Sequence, residues 1–124
     1  MSLLGSGPFT NSSGSGFYSV SEFSEILRFA KSRHISVIPE FDMPGHSHAA
    51  IKSMEARYAR LKTESGEDSE ATKYLLSDLA DRSVYMSGQF YKDSAINPCI
   101  ESSYRFVEHV VKEVVNIYKV GSLT

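Results

Sequence analysis

Apolar residues fall at helical spacing once the chain leaves its first segment. Phe23, Ile26, Leu27 and Ala30 recur every three or four positions, the stripe of a helix that packs on a sheet. Ser19, followed three residues later by Glu22, predicts where that helix begins. In such a capping box, hydroxyl and carboxylate each accept from a backbone N–H that the first turn leaves without a partner. Arg28, Lys31 and Arg33 place cations toward the negative C-terminal end, and His34 follows as a helix-ending surface residue. The pattern then changes. Ile35 to Ile38 is a near-continuous apolar run, so residues 35–40 are expected to form a strand covered on both faces. Helix, short turn and buried strand make half of a βαβ unit.

Residues 47–63 return to helical spacing, with Ala49, Ala50, Met54, Tyr58 and Leu61 as a loose stripe. Lys62 to Lys73, carrying Glu64, Glu67, Asp68 and Glu70, has the pattern of a solvated insertion. From Tyr74 to Ala95 the periodicity is ambiguous, and Ser87 to Tyr91 is a candidate short strand. The last element is the clearest helix. Phe106, Val107, Val110, Val111, Val114, Val115 and Tyr118 hold one face and charged residues the other; Asn97-Pro98 turns the chain before it and Gly121 ends it. Residues 1–18 are expected to form a Gly/Ser-rich loop; no Lys-Ser or Lys-Thr follows its glycines, so no phosphate cradle is expected there.

This inventory holds one firm strand, whose unpaired N–H and C=O groups would each cost about 1–3 kcal/mol if buried. Either the strand pairs with another chain, as in a small dimeric α/β protein, or the sequence is a piece of something larger. The second reading is the expectation. A noncatalytic binding or interaction module is a further alternative.

Composition narrows the class without naming a function. With 124 residues, 41% of them hydrophobic, the chain is one domain at most. Thirteen Lys and Arg against 15 Asp and Glu, a net charge of −2, argue against nucleic acid or an anionic membrane as partner. No apolar run reaches the roughly 18 residues of a spanning helix, and no signal-peptide pattern opens the chain. The single Cys99 excludes an internal disulfide; it is expected as a small buried hydrophobe, or as half of a bridge to a partner elsewhere. Asn11-Ser12-Ser13 matches a glycosylation acceptor, a motif short enough to arise by chance.

The candidate chemistry lies in Val37-Ile38-Pro39-Glu40-Phe41-Asp42-Met43-Pro44-Gly45-His46. A buried strand that delivers polar groups at its C-terminal end is how α/β enzymes present reactive residues. Pro39 cannot donate to a ladder, so the strand weakens there, and Pro44-Gly45 forces a turn. Asp42 and His46 flank that turn, where a carboxylate can set the imidazole's tautomer and orientation. His46-x-His48 with Asp42 offers a metal-site alternative, but no third strong ligand stands at a fitting spacing. His109 is expected at the surface. Tyr85, Phe90 and Tyr91 could line a subsite by offering aromatic faces to a ligand, though core packing is the plainer reading.

The segment from Val37 to His46 resembles the V-I-P-E-hydrophobic-D-hydrophobic-P-G/A-H signature of glycoside hydrolase family 20, the β-N-acetylhexosaminidases. Gly5 to Pro8, Phe17 to Ser19, Ser53 to Tyr58, Gln89 to Tyr91 and Asn97 to Cys99 resemble its bacterial chitobiase branch, in the same order. The resemblance implies an α/β chain forming part of a (β/α)8 TIM barrel, the helix 2, strand 3 and helix 3 region, and not a complete barrel. Residues 1–18 would be a loop, 19–46 a helix–strand unit with the site loop, 47–97 a helix and insertion, and 98–121 a helix. In the family the next strand carries a His-x-Gly-Gly-Asp-Glu motif, whose Glu is the general acid and whose Asp positions the substrate's acetamido group. The nucleophile is the substrate's own acetamido oxygen, an exception to the two-carboxylate retaining scheme. His46 matches the histidine that contacts the catalytic Glu, and Asp42 the Asp behind it. Glu40 aligns with a carboxylate to which no chemistry is assigned. No cofactor or metal is implied. The partners implied are N-acetylhexosamine-containing oligosaccharides or glycoconjugates and the rest of the barrel, in a secreted, periplasmic or lysosomal enzyme. Without the acid, the 124-residue chain is expected to be inactive on its own.

Overall fold

The first helix begins where its capping box requires. In a computed structural model that describes residues 16–64, 66, 68–83, 86, 88, 90, 92 and 95–122, α1 spans Val20–Lys31. Ser19 N donates to Glu22 Oε2 at 2.7 Å, and Glu22 N returns a bond to Ser19 Oγ at 3.3 Å. Leu27 and Ala30 are buried as the stripe predicts, joined by Ser24, whose hydroxyl is satisfied by Val20 O at 2.8 Å. Phe29 lies on the other side, exposed, with the Arg33 guanidinium 3.5 Å above its ring. The helix closes through two bonds, Ile35 N to Ala30 O at 2.9 Å and His34 N to Lys31 O at 3.0 Å. His34 takes the left-handed conformation (φ 58°) that this pattern of closure needs.

The strand expected over 35–40 does not form. Those residues join no ladder, and Ile35 and Ile38 are 57% and 84% exposed instead of covered. The physical reason is the one the lone strand posed: a ladder needs a neighbour, and the described residues offer none. Among them the structure has four helices and a single isolated antiparallel bridge, Met86 to Lys92, so the described residues carry the helices of the α/β expectation and not its sheet.

The remaining helices are α2 (His48–Glu64), α3 (Asp68–Thr72) and α4 (Glu101–Ser122). The chain divides into two compact units, residues 1–40 with 111–124, and residues 41–110. In the first, Phe23 of α1 meets Tyr118 of α4 with ring centroids 6.1 Å apart. In the second, Ile51 of α2, Leu76 and Ile96 form a buried cluster backed by Ala50, Met54 and Phe106. The predicted α2 stripe is present, but Ile51 (3% exposed) leads it and Ala49 faces outward.

Residues 62–73 are more than a solvated insertion. They contain α3, with Ala71 1% exposed, and α3 is tied to α2 by Arg57. Arg57 Nη1 donates to Glu70 O at 2.9 Å and Nη2 to Glu70 Oε1 at 2.6 Å. The same guanidinium lies 5.2 Å from the Tyr74 ring centroid. A charge run conceals this arrangement because it rests on one small apolar residue of the run, Ala71, and on a half-buried cation from the preceding helix, Arg57. In α4 the valine face is only partly covered: Val111 and Val115 are exposed, and the helix continues through Gly121 to Ser122.

Candidate functional site

The site is the turn at residues 41–47, between the extended segment and α2. The Met43–Pro44 peptide is cis, and His46 sits at φ 53°, in the left-handed region. For a residue with a Cβ that conformation costs on the order of 1–3 kcal/mol and persists only where its surroundings impose it. Two sets of contacts do so. Ser47 is buried (8% exposed), its hydroxyl donating to Gly45 O at 2.9 Å while its carbonyl accepts from Ile51 N in α2 at 3.0 Å. From the other side, Ile96 N donates to Pro44 O at 2.8 Å, and Asn97 N to Leu76 O at 2.9 Å. Because the Ile96 side chain belongs to the Ile51–Leu76 cluster, the turn is bonded to the best-packed part of its unit.

Held in this way, Asp42 Oδ2 lies 2.8 Å from His46 Nδ1. An ionised carboxylate only accepts, so Nδ1 carries the shared hydrogen, leaving Nε2 to accept when the ring is neutral and to donate when it is charged. The side chains are 61% and 58% exposed. A pair so open to water contributes little to stability. What it does is fix one tautomer and one ring orientation.

The family comparison can now be set beside this geometry. Residues 3–123 match glycosyl hydrolase family 20, catalytic domain. The chain belongs to this family. It is 53% identical over 117 residues to N,N'-diacetylchitobiase of Vibrio harveyi, covering 94% of the chain and 13% of that protein. It is 49% identical over 121 residues to a beta-hexosaminidase of Vibrio vulnificus, covering 98% and 14%. With beta-hexosaminidase B of Pseudoalteromonas piscicida the identity is 48% over 111 residues, covering 90% and 14%. The chain thus spans about one seventh of the length of these relatives. Family 20 catalytic domains are TIM barrels.

The other candidate residues of this family 20 chain fall into place separately. His48 opens α2 and is exposed; among the described residues no three of His, Cys, Asp and Glu gather as a cation site, so the His46-x-His48 alternative gains no third ligand. Cys99 is exposed, not buried. Its N–H closes a turn onto Asn97 Oδ1 at 2.9 Å, which turns the thiol to the surface just before α4. His109 is exposed as expected, with its ring 5.5 Å from Tyr74. Phe90 is 82% exposed, against the expectation of core packing, while Tyr85 and Tyr91 lie outside the described residues.

Sequence reasoning missed the turn's supports. Ser47 had a legible signal, a serine directly before a helical stripe. The Ile96 N–H had none, since a backbone donor some fifty positions away leaves no mark on composition. Two cavities flank this region. One, about 240 Å³, is apolar and bordered by Met43, Pro44, Tyr104 and Val107. The other, about 530 Å³, carries Lys52, Glu55, Ser77 and Asp81 on its walls. Burial pulls the Glu55 carboxyl upward, but hydrogen bonds from Lys52 and Ser77 outweigh it and leave the group below its ordinary value.

Proposed function

We propose that this chain supplies one sector of the catalytic barrel of a β-N-acetylhexosaminidase, and that Asp42 and His46 orient that enzyme's general acid. The observation that carries the reading is the 2.8 Å contact between Asp42 and His46, on an exposed turn of a chain matched to the catalytic domain over residues 3–123. In this assignment residues 19–46 are helix 2, strand 3 and the site loop, 47–97 are helix 3 with its insertion, and 98–121 are the closing helix. The substrates are oligosaccharides or glycoconjugates ending in a non-reducing N-acetylhexosamine. Vibrio harveyi chitobiase and the beta-hexosaminidases at 48–53% identity support that class.

The chemistry assigns the chain a supporting part. The substrate's acetamido oxygen attacks the anomeric carbon, the general acid protonates the departing oxygen, and water then opens the oxazolinium ion with the same residue acting as base. No His-x-Gly-Gly-Asp-Glu stretch occurs in these 124 residues, so the acid comes from another segment. An acid that must give and retake a proton needs a fixed neighbour. His46 Nε2 is placed to bond it, because Asp42 occupies Nδ1.

The test is a chimera in which this sequence replaces the corresponding segment of Vibrio harveyi chitobiase. It is expected to hydrolyse an aryl N-acetylglucosaminide, and His46→Ala within it to lower kcat by about 10²-fold, the scale of a misplaced catalytic group. The 124-residue chain alone is expected to show no turnover. A folded but inactive chimera, or full activity with His46→Ala, overturns the reading.

A further inference from the structure

We infer that Ser47 is a positioning residue: its buried hydroxyl holds the Asp42–His46 turn in the one conformation that sets the imidazole's tautomer. The inference rests on the proposed role of that pair, a relay in which Asp42 sets His46 and His46 orients the general acid, and adds a residue to it. Ser47 stands immediately before α2, where a serine hydroxyl ordinarily accepts from the N–H groups of the first helical turn. Here the hydroxyl hydrogen is directed backward, donating to Gly45 O at 2.9 Å, with Asp42 O 3.5 Å away. Gly45 O belongs to the peptide that enters His46, so this bond orients the plane on which the left-handed φ of 53° is built. Ser47 is 8% exposed, so water does not readily take the place of that donor.

Gly45 itself has free space where a Cβ would stand and no positive φ, so the strain of the turn falls on His46. Two contacts therefore act on neighbouring carbonyls. Ile96 N holds Pro44 O from the core side, and Ser47 Oγ holds Gly45 O from the helix side. The Ile96 bond fixes where the turn sits. The Ser47 bond fixes how the His46 peptide is rotated, and through it whether Nδ1 or Nε2 meets Asp42. Without the hydroxyl, the peptide between Gly45 and His46 can rotate, His46 can relax toward negative φ, and the ring leaves the carboxylate.

The experiment reads the imidazole directly. Long-range proton–nitrogen NMR of the 124-residue chain, with selectively labelled histidine, distinguishes Nδ1–H from Nε2–H for His46. Wild type and Ser47→Thr, which keeps the hydroxyl, are expected to show Nδ1–H. Ser47→Ala is expected to lose that signature while the methyl shifts of Ile51 and Ile96 stay in place. If Ser47→Ala disturbs those methyls, Ser47→Cys, close in volume but a weak donor, takes its place with the same expected loss. Retention of Nδ1–H in a folded Ala or Cys variant overturns the role of Ser47 and leaves the relay standing. So does its loss in folded Ser47→Thr. A wild-type chain in which His46 carries its hydrogen on Nε2 overturns the relay and the role of Ser47 with it.

Discussion

At the scale of single residues, left-handed backbone falls on His34 where α1 ends, on His46 in the site turn and on Phe90. Ser19 and Glu22 show the favourable case. The Ser19 hydroxyl and backbone N–H both bond the Glu22 carboxylate and hold it below the ordinary carboxylate range. Ser19→Ala is expected to destabilise the chain by about 1 kcal/mol, read as a lower midpoint in urea. Because the folded-state value of Glu22 is depressed, its contribution is present above the ordinary carboxylate value and lost as pH falls through the folded one. Glu55, Glu70 and Asp81 are shifted in the same direction. Stability is therefore expected to fall on acidification, and Ser19→Ala to flatten that dependence. Lys62, raised by its bond to Asp68, contributes in the opposite limb: its contribution is present below the ordinary lysine value and lost as pH rises through the folded one. His34 shows the unfavourable case. It occupies the left-handed position that closes α1, where glycine carries no Cβ penalty. His34→Gly is expected to raise stability by up to about 1 kcal/mol in the same urea titration, and a loss would mean that the imidazole makes a contact outweighing the strain. His46 shares that backbone region, and the same substitution there would also remove the ring that bonds Asp42.

At the scale of elements, the chain was legible wherever a pattern is local. The capping box, the Leu27 and Ala30 positions of the α1 stripe, the reach of α2 and the long α4 all depend on residues within four positions of one another, and each is where the spacing puts it, whereas Ile26 of that stripe is exposed. What was hidden depends on distant partners. The apolar run at 35–38 satisfies every local rule for a strand, yet pairing is a property of two segments, and the described residues contain only one. The helix α3 was hidden for a related reason: its contact with α2 is made by Arg57, thirteen residues from Glu70. The candidate site divides the same way. Asp42 and His46 could be paired on paper because four residues and a Pro-Gly turn separate them, whereas Ile96 could not. Arg57 gives this a quantitative test. Its side chain is 21% exposed and bonds both the backbone and the carboxylate of Glu70. Arg57→Leu keeps the volume but leaves a half-buried carbonyl without its donor, an expected cost of about 1–3 kcal/mol. Hydrogen exchange at residues 68–72 should accelerate while α1 is unaffected. Arg57→Lys should recover little, since one ammonium cannot reproduce the fork that reaches both acceptors.

At the scale of the whole molecule, burial is uneven between the two units. Residues 41–110 contain Ile51, Leu76 and Ile96, all below 8% exposure, with Ala71 and Leu75 beside them. In the other unit, Leu27 and Ala30 are the buried apolar residues described, while Val20, Phe29, Ile35 and Ile38 are each more than half exposed. Local stability follows buried apolar contact, so the unit around Leu76 should open least readily. Amide exchange on the chain tests this in a way that also bears on the barrel assignment. Residues 52–56 of α2 are expected to be the best protected, and 36–38 to exchange near the rate of an unstructured peptide, because those amides join no ladder. Transplanted into Vibrio harveyi chitobiase, the same three amides should gain protection of at least about tenfold, the equivalent of roughly 1.4 kcal/mol. That gain is what a ladder on both sides would provide, since each N–H would acquire a carbonyl that the isolated chain lacks. Protection of 36–38 in the isolated chain would instead mean that the segment finds a partner in a second copy, and the exchange rate would then depend on protein concentration. Unchanged fast exchange in an active chimera would separate catalysis from strand formation and remove 35–40 from the barrel's sheet, leaving the Asp42–His46 turn to be positioned by Ser47 and Ile96 alone.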